Sequence, residues 1–156
     1  MADKWFQLAS ALGKMLEELE GVGVVHVRED YPLVESELAV YLRDKPEGLD
    51  INAWVVGRSQ VNQNKIQLPP QKYYRVHVFT IRGYVSVSTD SYLRFQSLVD
   101  IVLDAFTPPR RIDVGDSVIE DLPEANIRYS RLAEGLPIIH QADIRVPVKE
   151  LVSILS

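Results

Sequence analysis

Cysteine is absent from the 156-residue chain, so neither a disulfide framework nor a thiolate metal site holds it together. A long apolar run is missing as well. The opening MADKWFQLASALGKMLEELE interrupts its apolar residues with charges at short intervals, unlike the continuous stretch of a signal peptide or a membrane span. Both absences lead us to expect a protein of a reducing compartment, with no membrane partner. Positive charge is also in deficit: 17 Lys and Arg stand against 22 Asp and Glu, a formal net charge of -5, with an isoelectric point near 5.2. Duplex nucleic acid meets proteins through a basic face, so sequence-specific nucleic-acid binding is not expected.

The motifs of common chemistry are missing too. There is no GxSxG elbow, no GxxxxGK[ST] loop and no GxGxxG opening a helix after a strand. No lysine has an acid two positions before it, so the D/E-x-K pattern of nuclease-like strands is absent; Asp143-Ile144-Arg145 is its nearest match, and arginine does not deprotonate to act as a base. The three histidines, His26, His77 and His140, each lie in an expected strand, outside any spacing that aims two imidazoles at one metal. We read them as packed or rim residues, with His140 the most interesting because it falls on an apolar face. None of these patterns names a cofactor, a metal or a catalytic residue.

What is present reads as one domain spanning residues 1–156, long enough to bury a sizeable core, with 46% hydrophobic and 25% charged residues. Trp5, Leu8, Leu12, Met15 and Leu19 recur at helical spacing, with Asp3 near the start and Gly21 past the end. VGVVHV (22–27) suits a strand. A shorter helix is expected over LVESELAVYLR, with Pro32 in its first turn. INAWVVGR (51–58) is apolar on both alternating faces, as in a strand buried on both, whose second face meets a helix or another subunit. KYYRVHVFTIRG (72–83) is a further strand. Tyr92, Phe95, Leu98, Val102 and Phe106 then make one helical stripe, capped from Ser88, Thr89 or Asp90 and closed by Pro108-Pro109. Short strands are expected around Ile112 to Val114 and Ile127 to Tyr129, with an acidic loop between them.

LPIIHQADIRVPV (136–148) alternates strictly, setting His140, Ala142, Ile144, Val146 and Val148 on one face and Asp143, Arg145 and Pro147 on the other. Proline donates nothing to a ladder, so Pro147 predicts an edge strand or the point where pairing stops. ELVSILS is read as a short apolar tail. The fold expected is α+β, with a mixed or mostly antiparallel sheet of about four to six strands and two or three helices packed on one face.

Candidate contact residues follow from polar segments with no evident core role. The amide-rich segment from Arg58 to Lys72, with Arg58, Gln60, Asn62, Asn64 and Lys65 as candidates, reads as a loop or projecting hairpin with its tip near Asn62 to Lys65, and Val61, Ile66 and Leu68 within it favour partner contact over plain linker. Arg110 and Arg111 offer cations to an acidic partner or to phosphate. Asp143 and Arg145 read as residues each paired across to neighbouring strands on a solvated face. Asp113, Asp116, Glu120, Asp121 and Glu124 read as a solvated acidic loop rather than a cation site, because the calcium-loop spacing is lacking.

The order of these elements, carried by WVVGRSQV to KYYRVHVFTI, STDSYLRFQSLVDIVLDAF and the closing HQADIRVPV, resembles the tail terminator, or tail-completion, proteins of long-tailed bacteriophages. That resemblance spans nearly the whole chain and implies a small domain that assembles as a homo-oligomeric, hexameric ring. Such a ring docks on the last ring of the tail tube protein, stops its growth and presents a surface to the head-completion or connector protein. It implies a virion location, assembly in the host cytoplasm and no cofactor. The segment YPLVESELAVYLRDKPEG and the acidic 113–124 loop depart from the shortest family members. Two other classes stay open: an adaptor or binding module of a related contractile or secretion machine, and a small soluble enzyme whose histidines and acids converge, which a strongly perturbed His140 or His77 would favour.

Overall fold

The computed structural model describes residues 3–27, 35–43, 50–65, 72–131 and 138–153. Among the described residues three helices, α1 (Lys4–Glu17), α2 (Glu35–Leu42) and α3 (Ser91–Ala105), accompany seven strands: β1 (Val24–His26), β2 (Asn52–Lys65), β3 (Lys72–Ser86), β4 (Arg110–Ile112), β5 (Ser117–Ile119), β6 (Glu124–Ser130) and β7 (Ile139–Ser153). The strands form one sheet in the order β1-β2-β3-β7-β5-β4, with β6 also on β7. Among the described residues only β1 and β2 run parallel. The expected α+β class with a mixed sheet is therefore what the chain adopts.

Two of the helices cover one face. Leu8, Leu12 and Leu16 of α1 and Phe95, Val99 and Val102 of α3 pack on Trp54, Val56, Phe79, Ile81, Ile144 and Val146 of the three long strands. Apolar residues at alternate strand positions supply that surface, and the helical stripes match it. In the first turn of α3 the buried position belongs to Ser91, whereas Tyr92 is 54% exposed, so the expected stripe begins at Phe95. Asp90 precedes the helix in a left-handed conformation and its side chain caps nothing. The Ser88 N–H bonds the Ser91 hydroxyl instead, at 2.9 Å.

The third helix lies elsewhere. Leu42 of α2 is buried with Ile51, Ala53, Val55, Tyr84 and Ile139, and Leu38 and Tyr41 pack around them. Ala53 and Val55 alternate with Trp54 and Val56, so α2 covers the opposite face, while α1 and α3 are the two helices expected on one face. α2 also answers what meets the second apolar face of INAWVVGR. Pro32 and Val34 lie outside the described residues.

β7 is central, not an edge. β3 pairs with it over its full length, β6 pairs from Ile139 to Arg145 on the other side, and β5 takes over at Lys149 and Glu150. Pro147 sits in the gap between those two partners, where a missing N–H costs no ladder bond. The strand also continues into the supposed apolar tail. β5 lies inside the segment read as an acidic loop; Ser117 and Ile119 are buried and hold it down.

Candidate functional site

The β2–β3 hairpin is a long antiparallel ribbon rather than a loop. Its register runs from Asn52 opposite Val85 to Lys65 opposite Tyr73, so Asn62 to Lys65 belong to a strand and the connection falls at 66–71, outside the described residues. One irregularity interrupts the register between Arg58 and Gln60. Ser59 is the extra residue; Thr80 donates to its hydroxyl at 2.9 Å, and that hydroxyl donates to the Val78 carbonyl at 3.2 Å. A bulge of this kind re-aims the chain beyond it. Here it keeps Arg58 on the α1 side, opposite Phe79, and brings Val61 opposite His77.

Arg58 lies with its guanidinium 5.5 Å from the ring centre of Trp5 in α1 and its Nη1 at 3.4 Å from His77 Nδ1. His77 Nε2 is 2.9 Å from Glu150 Oε1, and Glu150 Oε2 is 3.8 Å from Lys4 Nζ. Both His77 and Glu150 are buried. Arginine only donates, so Nδ1 carries the lone pair; the carboxylate accepts, so Nε2 carries the proton. Burial pushes the His77 pKa below its ordinary 6.5, and the Arg58 and Arg75 cations push the same way against the raising effect of Glu150. The contact at neutral pH is therefore a hydrogen bond from a neutral imidazole, although its distance alone would pass for an ion pair.

His140 occupies a second buried position on the helix-covered face. Its Nε2 is 2.8 Å from Ser91 Oγ, its ring stacks on Phe95 at 5.3 Å, and Tyr129 lies at 5.0 Å. Burial lowers its pKa as well. The Ser91 hydroxyl donates its one proton to the Ser88 carbonyl at 2.7 Å, so the imidazole donates to Ser91 rather than taking a proton from it. A nucleophilic serine needs the reverse polarity. His26, the third histidine, stacks on Tyr41 with ring centres 3.8 Å apart and bonds the Tyr41 carbonyl at 2.8 Å.

The other candidates are scattered. Gln60 and Asn62 are exposed and joined by a 3.3 Å hydrogen bond, while Asn64 and Lys65 stand opposite Tyr74 and Tyr73. Arg110 and Arg111 lie in β4 at the far side of the sheet, in a cleft with Phe6 and Lys14 of α1. Arg111 faces Asp116 at 3.8 Å, and Glu120 pairs with Lys149 at 3.3 Å. Asp143 pairs with Arg82 of β3 at 3.7 Å and Arg128 of β6 at 3.5 Å, not with Arg145. Arg145 is exposed between Thr80 and Glu124. The cross-strand reading of Asp143 holds, with partners on both neighbouring strands.

Among the described residues these side chains are spread over the sheet: Gln60 and Asn62 on β2, Arg110 and Arg111 on β4, Asp143 and Arg145 on β7. Among the described residues no group of three or more His, Asp or Glu is placed to hold a metal, and no helix is long and apolar enough to cross a membrane. Sequence reasoning misses Glu150, Lys4 and Ser91, and takes Trp5 only as part of the helical stripe. Glu150 had one visible signal: it extends the alternation of the apolar face of β7 by one step, and an acid there calls for a partner. Neither a family model nor a curated protein matches the chain.

Proposed function

We propose that the chain is a structural protein of a phage tail, assembling as a ring that caps the tail tube and joins it to the head connector. The observation that carries this reading is the outer edge of β2. β1 covers only Ala53 to Val55, so among the described residues positions 56–65 present an unpaired strand edge whose exposed side chains are Arg58, Ser59, Gln60, Asn62 and Gln63 with the apolar Val61 among them. Unpaired edges are templates for another chain, and this one is held rigid by β3 and β7 rather than left as a loop. The α+β domain with its helix, strand pair, helix and closing strand is also the kind that the resemblance implies.

The partners in this reading are further copies of the chain, the tail tube protein and the connector. Light scattering across a wide concentration range, with negative-stain imaging of the same sample, tests it. A closed ring of about six copies, the symmetric product of head-to-tail contacts, is the expected result; a chain that stays monomeric alone and on tube ends would remove the reading.

A small enzyme is the second reading, favoured by the buried imidazole–carboxylate contact and the lowered pKa of His77 and His140. Against it, both rings are closed in by packed side chains, and their hydrogen bonds are spent on Arg58, Glu150 and Ser91. Stabilisation by a metal or small molecule that binds only the folded chain would favour it.

A further inference from the structure

Helix α1 begins without a side-chain cap: Asp3 makes no capping hydrogen bond, and no acid lies in the first turn. Side chains of that turn reach the long strands instead. Lys4 Nζ is 3.8 Å from Glu150 Oε2 on β7, and the Trp5 ring carries the Arg58 guanidinium of β2 at 5.5 Å. His77 of β3 stands behind both contacts, with Nε2 at 2.9 Å from Glu150 Oε1 and Nδ1 at 3.4 Å from Arg58 Nη1. Two tethers of the first turn thus converge on one buried imidazole.

The charges around His77 set what a proton does there. Arg58 of β2 and Arg75 of β3 act on it as cations and Glu150 of β7 as the anion, with Lys4 of α1 beyond Glu150. Arg75 spends its guanidinium on Gln63 and Tyr73, and Asp116, in the turn before β5, faces Arg111. A guanidinium only donates, so Arg58 can sit at Nδ1 only while that atom holds a lone pair. A proton on Nδ1 sets donor against donor and cation against cation, and Arg58 is exposed, with water to receive it. The imidazolium also repels Lys4 across the carboxylate they then share.

We propose that His77 is a proton-operated latch: protonation of Nδ1 expels Arg58 from its place against Trp5 and frees the first turn of α1 from the β2–β3 hairpin, while Leu8, Leu12 and Leu16 hold the rest of the helix on the sheet. Burial favours the neutral ring, so the latch is closed at neutral pH and opens in acid. It lies beside the β2 edge that carries the tail-capping reading, but it stands or falls without that reading.

The chain's two tryptophans, Trp5 and Trp54, make the test direct. Fluorine NMR of the chain labelled with fluorotryptophan gives one signal for each, assigned with Trp5→Phe, and the fully buried Trp54 reports global unfolding. Between pH of about 7.5 and about 5, a range that spans histidine titration, the Trp5 signal should shift with a single midpoint below about 6.5 while the Trp54 signal stays in place. His77→Gln, uncharged throughout, should leave the Trp5 signal fixed, and Arg58→Ala should hold it at its acid position at every pH. If His77→Gln does not fold, the exposed Arg58→Ala decides alone. A Trp5 signal that does not move, one that moves only together with Trp54, or one that still titrates in either folded variant would overturn the latch.

Discussion

His77 and Glu150 stand 73 positions apart in sequence and meet at 2.9 Å between β3 and β7, buried under the first turn of α1. Arg58 reaches the other ring nitrogen and Lys4 the other carboxylate oxygen. One polar chain thus ties β2, β3, β7 and α1 together where the long hairpin leaves the helix-covered core. Buried polar groups that are fully partnered rigidify the elements they join.

Glu150→Ala should cost about 2 kcal/mol, because it leaves the buried His77 N–H without an acceptor. Glu150→Gln keeps an acceptor oxygen at that place and should cost less. Urea unfolding of the two variants beside the wild type gives the comparison, and equal costs would mean that the hydrogen bond contributes nothing.

Acid should destabilise the fold through both histidines. Burial holds His77 and His140 below their ordinary pKa, so the unfolded chain binds more protons than the native one as pH falls through about 6.5. The stability they contribute is present above that value and is lost as pH drops toward the lowered native values. Melting temperature should fall from pH 7.5 to pH 5, and the fall should be smaller in His140→Phe, which removes one of the two protonation sites.

Gly83→Ala should destabilise by about 1–3 kcal/mol, the usual cost of overpacking a filled core. Gly83 stands opposite Trp54 across the β2–β3 ladder, and a methyl group there would fall inside the space of the Trp54 indole, which is fully buried. Chemical denaturation measures the loss; a neutral result would show that the ring has room to move.

Replacing Gln60, Asn62 and Lys65 together by alanine should leave stability within roughly 0.5 kcal/mol per site, the range of exposed substitutions, while weakening assembly. Melts and solution mass of the same preparation separate the two effects. Collapse of the fold would show that the polar edge of β2 is structural, and would end the interface reading of this strand.

Much of this architecture is legible wherever one strong pattern decides an element. The helical spacing of Leu8, Leu12 and Leu16 finds α1, and the alternation from His140 to Val148 finds both β7 and the face it turns to the helices. INAWVVGR announces burial on two sides because its neighbours alternate apolar with apolar. Errors arise where tertiary pairing overrides local composition. Gln60 to Lys65 read as a loop or as the tip of a projecting hairpin because amides and Lys seldom build strands, yet β3 offers them a continuous partner, so the hairpin reading holds and only its tip lies further on. Pro147 looks like an edge marker because a single strand does not reveal that two short neighbours, β6 and β5, leave a gap opposite it. β5 is three residues long, too short for any periodicity to register. The polar chain from Arg58 to Glu150 was hidden for a further reason: its members are separated by long stretches of sequence and come together only through strand order.

The proposed capping role requires that this protein close a tube. Tail tube protein polymerised in its presence and absence, with tube lengths and tube ends imaged by negative stain, measures that directly. The account predicts shorter tubes with ring density seated on one end and none along the walls. Tubes of unchanged length with bare ends, at protein concentrations above that of the tube subunits, would contradict it.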